Sequence, residues 1–174
     1  MHNIYFLSSV HAEIGNCNSI ELLKIIKAIN PDVIFEELDI ESFEDHYGVE
    51  GPYSTETKAI YEYLKHKNVK HIPVDTYDMN DFTKNDKKYL DDTVYNTNEE
   101  YKNILKTQLE MLKLYGFEFL NSDESSNIIM KLQYIENNVQ IQNNDPKLTK
   151  IYKRWIEINI NRENEFINNV YMYC

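Results

Sequence analysis

Leu22, Ile25, Ile26 and Ile29 recur at three- and four-residue spacing, a stripe that predicts an amphipathic helix over 19–29. Asn18 precedes it as a cap with Glu21 three residues on, and Pro31 stops it. Residues 3–8, ahead of this helix, read as a short β-rich run. Residues 32–38, behind it, have the continuous apolar centre of a strand buried in a parallel sheet. A helix near 55–67 carries Ile60 and Leu64 on one face, and 69–75 predicts a third strand. Pro73 gives that strand an edge position or an early end. Two successive strand–helix–strand units imply right-handed crossovers.

Beyond Thr76 the pattern changes. Residues 78–97 are polar and predict a loop with short helical turns, whereas Tyr101, Ile104, Leu105, Leu109 and Leu112 mark a helix over 99–114. A break at 121–126 leads to a helix from 127 to 134 or beyond, and 137–145 is rich in Asn and Gln and reads as a linker. The last helix spans 147–171, with Pro146 where a first turn tolerates it. The expected architecture is one α/β domain over 1–174: a small, mostly parallel sheet (3–8, 32–38, 69–75) with crossover helices, then a helical C-terminal half.

Composition narrows the function classes. The length of 174 residues suits one domain. A net charge of −11 repels phosphate backbones, which disfavours nucleic-acid partners. The four glycines (Gly15, Gly48, Gly51, Gly116) are never two apart, so dinucleotide-binding and Walker-A loops are excluded. The start lacks a basic leader, and no apolar run approaches the roughly 18 residues a spanning helix needs. Cys17 and Cys174 cannot form a C-x-x-C pair. A soluble cytoplasmic protein without a membrane partner is the expectation.

Ligands of open parallel sheets bind outside the carboxyl ends of the strands. Those ends carry Ser9-Val10-His11, Glu36-Glu37-Leu38-Asp39 and Asp75. One imidazole with several carboxylates can hold a divalent metal ion or act as general base and acid. The plainer reading has solvated strand-end carboxylates, His11 capping a turn, and Arg162 paired with Glu157, Glu163 or Glu165 on its own helix. Tyr47 and Tyr53, with His46, fall in a loop where they face either substrate or solvent. His71 reads as a structural strand residue. Cys17 is either a thiolate nucleophile near a helix start or an inert buried thiol.

The run Leu7-Ser8-Ser9-Val10-His11, a helix, then Pro31-Asp32-Val33-Ile34-Phe35-Glu36-Glu37-Leu38-Asp39 resembles the TraB/TIKI superfamily of proposed hydrolases. Erythromycin-esterase-like and ChaN-like proteins are its more distant relatives. That family opens with a strand ending in G-x-x-H and continues through a helix into a P-D-x-V-x-x-E-L-D-like strand. A later strand ends in Asp, and a helix carries R-x-x-x-M-A-x-x-I. His11, Glu37, Asp75 and Arg162 match these positions. The resemblance implies hydrolysis of an amide or ester bond in a small-molecule or peptide substrate. His11 and Glu37 would ligate a divalent metal or activate water, supported by Glu36 and Asp75. Arg162 would hold an anionic group; Tyr47 and Tyr53 are substrate-facing candidates by their loop position alone.

Two departures define rival expectations. Ser8 replaces the family glycine, and the sequence ends at Cys174 before the strand that carries a second glycine and histidine in the family. A non-catalytic binding protein would keep the sheet with an open edge that invites a second copy, hence a homo-oligomer. A haem carrier like the ChaN-like relatives is the third reading.

Overall fold

The computed structural model describes residues 3–48, 51–76 and 82–173. Its elements are α1 (Ser19–Ile29), β1 (Val33–Glu36), α2 (Ile40–Tyr47), α3 (Thr55–Leu64), β2 (Lys70–Pro73), α4 (Lys84–Thr97), α5 (Glu99–Leu120), α6 (Asp123–Gln142) and α7 (Pro146–Tyr173). The described residues are 69% helical with a two-stranded parallel sheet, so the α/β expectation is corrected to a mostly helical fold.

The missing strand explains most of that correction. Residues 3–10 run without regular structure, and Ile4, Tyr5 and Phe6 stand exposed. The Asn121 side chain, at the corner between α5 and α6, takes both backbone groups of Ser8. Its Oδ1 accepts from the Ser8 N–H at 2.7 Å, and its Nδ2 donates to the Ser8 carbonyl at 3.1 Å. These are the groups a neighbouring strand would use, so at Ser8 a side chain stands in for the ladder.

Local caps set the other boundaries. Asn18 accepts from the N–H groups of Ile20 and Glu21 to open α1, and Asn30, in the left-handed region at φ 53°, closes it. Asp39 caps α2, a helix falling where the sequence suggested loop; Val49 and Glu50 of that stretch lie outside the described residues. Thr83 and Asp86 form a capping box that opens α4 in the polar stretch read as loop, of which 77–81 lie outside the described residues. The apolar stripe of α4 is reduced to Leu90 and Val94, four apart and both buried. Helix α6 runs on to Gln142, through most of the stretch read as a linker.

β1 and β2 pair Val33 with Lys70, Ile34 with His71, Phe35 with Ile72 and Glu36 with Pro73. Strand alternation puts Ile34, Glu36 and His71 on one face, where Phe43 and Tyr47 of α2 lie against His71. Phe35 and Lys70 share the other face, where Tyr173 of α7 packs against both. Backbone pairing continues past β2: Val74 N–H donates to Glu36 and Asp75 N–H to Leu38.

Two apolar cores result. One gathers Leu90, Val94, Leu132, Ile135, Leu148 and Ile151 among α4–α7; the other gathers Cys17, Leu22, Ile26, Ile60, Tyr63 and Phe117 around α1 and α3. Helix α5 belongs to both, giving Tyr101 to the first and Leu112 to the second. Its regular course breaks at Gly116 (φ 58°, ψ −134°), against which the turn at residues 14–17 lies. A Cβ on Gly116 would stand 2.7 Å from the Asn16 carbonyl oxygen, and one on Gly15 2.5 Å from that of Lys113. Glycine is required at both places because two backbones meet there.

Candidate functional site

The carboxyl ends of β1 and β2 gather the charged side chains. His11 is fixed through its carbonyl oxygen, which accepts from the Thr55 N–H at 3.0 Å at the start of α3. The next residue, Glu56, projects from the first turn of α3. Its Oε1 accepts from the Ser9 hydroxyl at 2.7 Å and lies 3.2 Å from His11 Nδ1. The bond to Glu56 raises the His11 pKa above 6.5 despite an opposing desolvation; the Glu37 charge adds to the rise and that of Arg162 opposes it. Burial alone would push Glu56 up, but bonds from His11, the backbone and Ser9 outweigh it and hold this carboxyl at about 2.

Arg162, from α7, closes on the same edge. Its Nη2 lies 2.5 Å from Asp75 Oδ2 and 3.3 Å from Glu37 Oε1, and Nε lies 3.3 Å from Asp75 Oδ1. Asp75 is buried while Glu37 is exposed, so the guanidinium bridges an inner and an outer carboxylate. Arg162 thus bonds to carboxylates 87 and 125 residues away in the sequence.

Glu36 points elsewhere. Its carboxylate accepts from the Tyr47 hydroxyl at 2.6 Å and lies 2.8 Å from His71 Nδ1, on the face covered by α2. Burial raises the Glu36 pKa, with the Tyr47 and His71 bonds opposing. Burial, and then the Glu36 charge, raise that of Tyr47. Tyr47 therefore serves Glu36, and His71 is more than a strand filler. Tyr53 is exposed and stacks on buried His46 at 3.8 Å and 22°, while His46 Nδ1 lies 3.2 Å from Thr57 Oγ1. Cys17 is fully buried in the core around α1, and desolvation raises its pKa, as befits an inert thiol.

The donors expected to ligate a metal have other partners. Glu56 takes Nδ1 of His11, Tyr47 and His71 take Glu36, and Arg162 takes Asp75 and Glu37. Among the described residues no group of three His, Cys, Asp or Glu side chains is arranged to hold a metal ion. His11 lines neither of two concavities: one of about 260 Å³ between α1 and α3, lined by Ile20, Leu23 and Tyr61, and one of about 530 Å³ between α5 and α6, lined by Ile104, Thr107 and Ile128.

Glu56 is the site residue that sequence reasoning missed. The signal was the Ser54-Thr55-Glu56-Thr57 run, a helix start that places an acid in the first turn beside the strand ends. The molecule is of a mostly helical class whose parallel β-ribbon gathers an imidazole, carboxylates and a guanidinium at its carboxyl edge. No protein family matches the chain, and no curated protein or solved structure does either. Among the described residues no helix is long and apolar enough to cross a membrane.

Proposed function

We propose that this chain hydrolyses an amide or ester bond by acid/base chemistry at the edge formed by His11, Glu56, Glu37, Asp75 and Arg162. The observation that carries the reading is the His11–Glu56 pair at 3.2 Å, with an imidazole that the charges of Glu37 and Arg162 also reach. An imidazole on a carboxylate is suited to take a proton from water. The guanidinium is suited to charge developing on a substrate oxygen. The TraB/TIKI resemblance points to the same reaction class, with a small-molecule or peptide substrate. Turnover of a panel of p-nitrophenyl esters and amino-acid p-nitroanilides tests it. The wild type should turn over at least one, and His11→Asn should abolish that rate with an unchanged far-ultraviolet spectrum. Equal rates in the two proteins would overturn it.

A second reading is a non-catalytic binding protein with the same edge. It is favoured by one observation: the His11 side chain is 79% exposed rather than recessed in a cleft. A wild type silent on the whole panel would favour this reading.

A further inference from the structure

We infer that Glu56 is a positioning residue that holds His11 as the Nδ1–H tautomer, leaving the Nε2 lone pair to face the solvent side of the site. The inference rests on the hydrolytic reading above and names the atom through which it works. An ionised carboxylate only accepts hydrogen bonds, so a neutral imidazole whose Nδ1 lies 3.2 Å from Glu56 Oε1 must carry its proton on that nitrogen. Ser9 donates to the same oxygen at 2.7 Å, which fixes the carboxylate as an acceptor. The His11 backbone is pinned by the Thr55 N–H at 3.0 Å, so one turn of α3 positions both the main chain and the ring. Carboxylates set the tautomer of functional histidines in this way, and the ring orientation with it.

The step balances as follows. Water gives a proton to Nε2 while its oxygen bonds to the substrate carbonyl carbon. The imidazolium, its charge facing Glu56, then returns that proton to the leaving oxygen or nitrogen as the old bond breaks. Glu56 touches neither substrate nor water and acts through His11.

The test is the His11 tautomer, read by long-range ¹⁵N–¹H correlation in ¹⁵N-labelled protein at alkaline pH, where the ring is neutral, with His11→Asn assigning the signal. The wild type should be in the Nδ1–H form. Glu56→Ala should raise the Nε2–H population several-fold, and Glu56→Asp should restore the wild-type form in part. On any substrate turned over, Glu56→Ala should lower kcat about 10- to 100-fold with KM within about twofold. A wild-type ring in the Nε2–H form overturns the inference without any variant, and so does a tautomer unchanged in Glu56→Ala. The expected tautomers with no turnover by the wild type would leave the Glu56–His11 pairing standing and remove the hydrolytic reading.

Discussion

Arg162 of α7 and Asp75 beyond β2 are joined by two hydrogen bonds across 87 residues of sequence. The contact ties the longest helix to the carboxyl end of the sheet and places a cation among carboxylates that would otherwise repel one another. Two more bonds reinforce it, from Asn169 to the Val74 carbonyl and from Thr76 to Glu165.

Removing the cation should therefore cost more than a surface ion pair does. Arg162→Met leaves the buried Asp75 carboxylate unpaired, a loss of about 3–5 kcal/mol. Adding Asp75→Asn should recover most of it. Urea denaturation of both variants decides, and a single substitution costing no more than an exposed pair would sink the idea.

The Glu36 carboxylate predicts a pH dependence. Its folded pKa is raised, chiefly by burial, so its contribution is fully present below the ordinary glutamate value of 4.5 and is lost as pH rises through the raised value. Glu36→Gln removes the titration and keeps an acceptor for the Tyr47 hydroxyl. The stability difference should shift toward the variant as pH rises from ~4 to ~7. A difference independent of pH would contradict this.

Glu56 has the opposite sign. Its folded pKa of about 2 lies below 4.5, so its stabilisation is present above 4.5 and is lost as pH falls toward 2. Glu56→Ala should flatten the acid limb of the stability curve; an unchanged limb counts against the bonds described for this side chain.

Gly116→Ala should be among the most damaging small substitutions. The left-handed φ of 58° costs about 1–2 kcal/mol with a side chain, and the 2.7 Å approach to the Asn16 carbonyl adds to it. A fall in Tm well beyond that of an ordinary surface Gly→Ala change is the expected result.

Asn121→Ala should release residues 3–10. Both backbone groups of Ser8 lose their partner, at a cost of about 1–3 kcal/mol. Faster proteolytic cleavage before Val10, with the remainder intact, is the readout.

Periodicity served well where a stripe was wide. The four apolar residues of α1 and its Asn18 cap placed that helix at the observed ends. It failed where structure rests on few or distant groups. Helix α4 buries only Leu90 and Val94 along its own length, and α2 exposes Ile40, so neither shows a stripe. Residues 3–8 have strand composition, but an amide 113 residues away takes the Ser8 backbone, and no local pattern encodes that. The strand-end rule placed Glu37 and Asp75 where Arg162 bonds to both, whereas the strand expected to lead into His11 is absent. That rule could not say that Glu36 faces Tyr47 and His71, because two adjacent glutamates on a strand look alike until the covered face is known. Glu56 stayed hidden because an acid in a first helical turn is ordinary and calls for no further partner.

Helix α5 belongs to both cores, and the edge draws its side chains from the surroundings of each. His11 and Glu56 come from the part around α1 and α3, whereas Arg162 comes from the part around α6 and α7. A ligand bridging His11 and Arg162 would bind only the state in which both are folded. Its binding energy would then act on the whole molecule rather than protecting one half.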